Sequence, residues 1–124
     1  MTVTFQSVIA WQKAHIFVLD VYKTCAMFPN FERVGLCSQF QRAAVSIAAN
    51  IAEGYKKLSK ADKLRFFNIS QGSIEECRYY TILAKDLGYI DSSIYERLTF
   101  ELEETSKYLN MYAKGIIENN HPND

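Results

Sequence analysis

Apolar residues recur at three- and four-residue steps along most of the chain, the spacing of amphipathic helices rather than of strands. A first helix is predicted from about Ser7 to Met27, with Val8, Trp11, His15, Val18, Tyr22 and Cys25 on one buried stripe. Ser7 is its expected N-cap, and Phe28-Pro29-Asn30 ends it, because the residue before a proline avoids the helical region. A second helix is predicted from about Arg33 or Gly35 to Tyr55, with the stripe Leu36, Phe40, Ala43, Ile47, Ile51 and Gly54. Its other side carries Val45, Ala48 and Ala52, all small to medium-sized and uncharged. A helix apolar on two sides needs covering on two sides. Either a core covers one side and a partner subunit the other, which makes these three residues a candidate oligomer interface, or the helix sits centrally in the monomer.

Ser59 and Asp62 give a start signal close to a capping box for a third helix, about Lys60 to Leu87. The face expected to be buried is Phe66, Ile69, Ser73, Cys77, Tyr80, Ala84 and Leu87. Gly72 lies inside this helix, where glycine costs about 1 kcal/mol relative to alanine, so a close helix–helix approach is expected there. Gly88 is placed to close the helix. A fourth helix starts near Asp91, an expected N-cap, with Ile94, Leu98, Leu102, Thr105, Leu109, Tyr112 and Ile116 forming a near-heptad seam. Short connections favour antiparallel neighbours. The predicted fold is all-α, an antiparallel up-down-up-down four-helix bundle, as one domain over 1–118 with a frayed polar tail over 119–124.

The chain length of 124 residues and a hydrophobic content of 48% suit a single core. Net charge is zero, which argues against a uniformly basic nucleic-acid binder while leaving room for a local patch. The charge is uneven: residues 1–65 carry a net +5 and residues 66–124 a net −5, a hint of oriented association. Cys25, Cys37 and Cys77 are odd in number and far apart in sequence, which favours buried free thiols in a reducing cytoplasm over disulfides or zinc. The first residues show neither a basic n-region nor a long apolar run, so no secretory signal is expected. No stretch approaches the ~18 apolar residues of a membrane span. The expected localisation is cytoplasmic, without membrane association.

Chemistry is sparse. His15 and His121 are the two histidines; His15 lies on the first predicted stripe, where a hydrogen-bonded core histidine is expected. The di-iron bundle pattern, with its two Glu-x-x-His motifs, is missing, as are phosphate loops and nucleophile elbows. No enzyme activity, cofactor or metal is expected. One constellation stands out. Gln39, Arg42, Ser46, Asn50 and Glu53 fall within a sector of about 80° on the second helix. Buried polar groups need partners, so this stripe is either a satisfied network or a wet binding surface. A second feature is a basic corner, Lys56, Lys57, Lys60, Lys63 and Arg65 against Asp62 alone. It is either a solvated turn or a contact for nucleic-acid phosphates, with Tyr55 beside it able to stack on a base.

These residues resemble the bacterial four-helix-bundle proteins of the 23S ribosomal RNA intervening-sequence type. The resemblance runs through Trp11-Gln12-Lys13-Ala14, Phe28-Pro29 with Glu32, and Gly35-Leu36. Its most specific stretch is the unbroken run from Gln39 to Gly54. Arg65-Phe66-Phe67, Gly72-Ser73 with Glu76, and Leu87-Gly88-Tyr89 extend it. The chain departs from the family at Cys37, where threonine is common, and at Ala48, where proline is common. The resemblance implies a bundle that assembles as a ring, commonly a homopentamer. Some members are encoded within insertions of the large ribosomal RNA gene. Others are similar to the accessory protein of diversity-generating retroelements, which binds a reverse transcriptase and nucleic acid. The family carries no established catalytic residue.

The leading expectation is therefore a non-enzymatic, homo-oligomeric binding or scaffold protein that engages structured RNA or a nucleic-acid enzyme such as a reverse transcriptase. A protein-only adaptor is the second reading. A small-ligand binder at the polar stripe is the third.

Overall fold

The computed structural model describes residues 4–119. They form four helices: α1 (Ile9–Cys25), α2 (Leu36–Lys56), α3 (Lys60–Asp86) and α4 (Ser92–Glu118), with short 3-10 turns at Phe5–Ser7 and Asn30–Glu32. Each helix packs against the next, and α4 closes back onto α1, while the diagonal pairs make no close backbone approach. This is the expected up-down-up-down bundle, all-α among the described residues. The polar tail predicted to fray lies beyond Asn119, outside the described residues.

Local chemistry sets the helix ends. Ser59 Oγ accepts from the Asp62 amide at 3.2 Å, and Asp91 Oδ1 accepts from the Ile94 amide at 2.9 Å. Both satisfy amides that a helix start leaves unpaired. Gly88 takes φ +78°, and the Tyr89 amide returns to the Ala84 carbonyl at 2.9 Å. Such a left-handed residue after a helix strongly favours glycine. Ser7 does not cap α1. It sits in the first 3-10 turn and its hydroxyl donates to the Thr4 carbonyl, leaving Val8 as an N-cap without a side-chain bond. The start of α2 borrows its cap: Glu32 Oε1 accepts from the Leu36 amide at 3.0 Å. The other oxygen of Glu32 accepts from the Tyr89 hydroxyl at 2.8 Å, tying this corner to the α3–α4 connection.

The core is built on Phe17, Phe40, Ile47, Ile51, Phe67, Ile74, Leu98, Leu102 and Leu109, all essentially fully buried. The α2 stripe is buried throughout, and the α4 seam is buried at its four central positions. Two stripes differ from expectation. In α1 the core face is Ala10, Ala14, Phe17, Val21, Thr24 and Cys25, one residue out of phase with the predicted stripe. His15 is exposed and stacks on Trp11 with ring centroids 4.9 Å apart, so it is not a core histidine. Tyr22 is also exposed. The small Ala10 and Ala14 let α1 approach its neighbours, and the wide rings of Trp11 and Tyr22 are left at the rim. In α3 the core face is Phe67, Ser70, Ser73, Ile74, Cys77, Thr81 and Ala84, while Ile69 and Leu87 are exposed.

The close approach expected at Gly72 occurs instead at Gly54. A Cβ on Gly54 would lie 2.6 Å from Phe67 Cε1 and 3.0 Å from Phe66 Cβ, whereas one on Gly72 would meet nothing within 4 Å. The missing side chain of Gly54 is thus what seats the Phe66-Phe67 turn of α3 against the end of α2.

Candidate functional site

Because α2 occupies a corner of the bundle, α1 and α3 cover two of its sides and a third side faces outward. The flanks of this outward arc decide what the polar stripe does. On the α3 flank, Ser73 Oγ donates to Ser46 Oγ at 2.9 Å, and Asn50 Nδ2 donates to Ser46 Oγ at 3.0 Å and to the Ser46 carbonyl at 2.8 Å. The Tyr80 hydroxyl lies 3.2 Å from Gln39 Oε1 and 3.3 Å from Glu76 Oε2. Desolvation, and then the Glu76 carboxylate, raise the Tyr80 phenol above its usual range, so it stays a donor. Gln39, Ser46 and Asn50 therefore form an inter-helix network. Arg42 and Glu53 do not join it: both are exposed and have no partner among the described residues. The stripe is structural along its α3 edge and open at Arg42 and Glu53.

On the α1 flank lies an open groove of about 570 Å³, with Tyr22 on one wall and Ser38, Arg42, Val45, Ala49 and Asn50 along α2. Tyr22 is 49% exposed and Val45 is 41% exposed. Of the candidate interface residues, Ala48 is buried within the chain and Ala52 is half-buried. Packing within the monomer therefore accounts for Ala48, and Val45 is the member most open to a partner. Ala49, which the sequence reading did not single out, is exposed beside Val45.

The basic corner is less free than its sequence suggests. Lys60 Nζ donates to the Asn119 carbonyl and lies 3.5 Å from the Ile117 carbonyl, where it caps the end of α4. Lys63 Nζ donates to the Tyr55 carbonyl at 2.8 Å, capping α2, and sits over the Tyr55 ring. A cation at these ends also opposes the negative pole of the helix dipole. Lys57 and Arg65 lie over the Phe66 ring at 5.0 Å and 4.7 Å from its centroid. Arg65 also lies 3.7 Å from Asp62. Lys56 is exposed and without a partner among the described residues.

A further charged site was not visible in the sequence. Asp20 of α1 and Glu101 of α4 meet at the α1–α4 seam and share a hydrogen bond, beside Arg97 at 3.3 Å from Asp20. Desolvation, then the hydrogen bond and charge of Asp20, push Glu101 up to about 8, with Arg97 opposing the rise. Glu101 Oε1 is buried and receives no donor, so the pair retains a proton at neutral pH. The cleft beside it, about 220 Å³, is walled by exposed Ile16 and Phe100 and by Lys13, which pairs with Glu104 at 3.7 Å. Among the described residues no cluster of three or more His, Cys, Asp or Glu side chains is placed to hold a metal ion, and no helix is long and apolar enough to cross a membrane.

Comparison with known proteins places this geometry in a family. None of the curated proteins compared matches the chain. Among solved structures, it is similar to a crystal structure of a protein of unknown function from the S23 ribosomal protein family of Bacteroides thetaiotaomicron. The TM-score is 0.79 at 25% sequence identity, over 86% of this chain and 96% of that one. The family model of the 23S rRNA-intervening sequence protein matches residues 6–111, which span all of α1, α2 and α3 and most of α4. The chain belongs to the 23S rRNA-intervening sequence protein family.

Proposed function

We propose that the chain is a non-enzymatic binding or scaffold protein that acts as a homo-oligomeric ring, with the outward arc of α2 as a contact between copies. The observation that carries this reading is the juxtaposition of exposed Tyr22, Val45 and Ala49 with unpaired Arg42 and Glu53 on one helix face. Apolar groups there gain from burial. The opposite charges of Arg42 and Glu53, together with the net +5 and −5 halves of the chain, suit a contact with a second copy. Family membership supports a ring, and five subunits is the number proposed. The three free cysteines support a reducing, cytoplasmic setting.

The ring is proposed to engage structured RNA or a nucleic-acid enzyme such as a reverse transcriptase through the α2–α3 corner. Lys56 and Lys57 are the cations there that no helix end uses. Zero net charge makes this contact local and salt-dependent rather than general. The test is binding of a structured RNA to the wild type and to K56E/K57E across a salt series. The reading expects loss of binding in the variant at unchanged thermal stability. Absence of binding at low salt, or binding indifferent to the substitutions, favours the protein-only adaptor. Lys60 is a poor probe, because its replacement also uncaps α4.

A further inference from the structure

Cys25 is the last residue of α1 and Cys37 the second of α2, separated by the ten-residue connection Ala26–Gly35. The bundle brings them together: Cys37 Sγ lies 3.5 Å from the Cys25 carbonyl oxygen, and the two thiols share a side-chain hydrogen bond. Both line a pocket of about 230 Å³ at this end of the bundle, with Arg33 and Gln41 also on its wall. The pocket exceeds the ~30 Å³ share of a water molecule several-fold, so a small oxidant fits. Cys77 is different. It is fully buried in the core, and desolvation raises its thiol beyond the usual range.

We propose that Cys25 and Cys37 form a paired oxidation site that a small peroxide converts to an intramolecular disulfide, stapling the end of α1 to the start of α2. This rests on the thiol pair and its pocket, not on the assembly of the chain. Cys37 is the attacking thiol, because it lies in the first turn of α2, beside amides that favour negative charge, and shares the pocket with the Arg33 guanidinium. Cys25 is the resolving thiol. Burial, and then the neighbouring Cys37, push it up to about 12, so it keeps its proton until a sulfur partner is adjacent. In the first step Cys37 sulfur attacks one peroxide oxygen and the O–O bond breaks. The departing hydroxide takes the Cys37 proton as water, leaving a Cys37 sulfenic acid. In the second step Cys25 sulfur attacks the sulfenic sulfur and the S–O bond breaks. The released hydroxide takes the Cys25 proton as a second water. Two thiols are oxidised to one disulfide and one hydrogen peroxide is reduced to two waters. A metal is a poorer occupant of the pair, since no third ligand joins it among the described residues and a guanidinium shares the pocket.

The test treats the reduced full chain with hydrogen peroxide, alkylates the remaining thiols and maps peptides by mass spectrometry. The expected product is a Cys25–Cys37 linkage within one chain, reversed by dithiothreitol, with Cys77 still alkylated. Oxidation of the pair should outpace that of Cys77 by at least about tenfold, as exposure and thiolate character dictate. C25S should stop at a Cys37 sulfenic acid trapped by dimedone, and C37S should slow oxidation of Cys25 by a similar factor. The proposal is overturned if wild-type Cys37 proceeds to sulfinic acid while Cys25 stays alkylated. It is equally overturned if Cys77 reacts as fast as the pair, or if the disulfides formed link separate chains.

Discussion

Alanine at the two mid-helix glycines, Gly54 and Gly72, should change stability in opposite directions. Each substitution gains about 1 kcal/mol of helix propensity. At Gly72 nothing lies within 4 Å of the added Cβ, so that gain is retained, and Gly72→Ala should stabilise by about 0.5–1 kcal/mol. At Gly54 the methyl group would overlap Phe67 Cε1 at 2.6 Å and crowd Phe66 Cβ at 3.0 Å. Neither neighbour can easily retreat. The Phe67 ring is 2% exposed and packs on Tyr112 at 5.3 Å, and Phe66 Cβ is one bond from the α3 backbone. Overpacking of this kind costs about 1–3 kcal/mol, which outweighs the propensity gain and leaves a net loss of about 1–2 kcal/mol. The assay is urea unfolding followed by far-ultraviolet circular dichroism, with all three proteins at one concentration so that any assembly contributes equally. Thermal midpoints should move by about 3–5 °C per kcal/mol. A Gly54→Ala protein as stable as the wild type would refute the close approach of α2 and α3. A destabilised Gly72→Ala protein would show that the outward face of α3 is covered.

The Asp20–Glu101 pair makes stability depend on pH. Glu101 holds its proton more tightly folded than unfolded, so its contribution is full below about pH 4.5 and is lost as pH rises through about 8. One proton limits the slope to about 1.4 kcal/mol per pH unit, and the partly open cleft reduces the total to about 1–2 kcal/mol. Glu101→Gln should flatten urea midpoints between those pH values relative to the wild type; parallel curves would contradict the shared proton. Ser73→Ala strands Ser46 and Asn50 at the α2–α3 seam and should cost about 1 kcal/mol in the same unfolding assay; no change would mean that the network is not structural. Arg42→Ala removes an exposed, unpaired group and should leave chain stability within about 0.5 kcal/mol, while weakening assembly as read by light scattering.

Much of the fold was legible because its signals are local. Ser59, Asp91 and Gly88 mark helix ends through chemistry within four residues. The α4 seam was equally clear, because Leu98, Leu102 and Leu109 leave little choice of face. The α1 phase was misread because Trp11, His15 and Tyr22 outweigh Ala10 and Ala14 in hydrophobic or aromatic bulk, although small residues are what a tight seam selects. Gly54 and Gly72 look alike in sequence, and only the packing of Phe66 and Phe67 separates them. The same holds for the candidate site. Gln39, Ser46 and Asn50 differ from Arg42 and Glu53 by which edge of α2 meets Ser73 and Tyr80. Lys60 and Lys63 read as surface cations until the helix ends they cap are brought beside them. Asp20 and Glu101 are 81 positions apart, beyond the reach of any local pattern.

The central claim is that the outward arc of α2 joins copies of this chain. Its most direct test is the molar mass in solution at micromolar concentration, measured by light scattering on the wild type and on V45E/A49E. A ring predicts a mass near five times the 14.3 kDa of one chain, falling to a folded, helical monomer in the variant. A wild type that runs at 14.3 kDa, or a variant that keeps the full assembly, would contradict it.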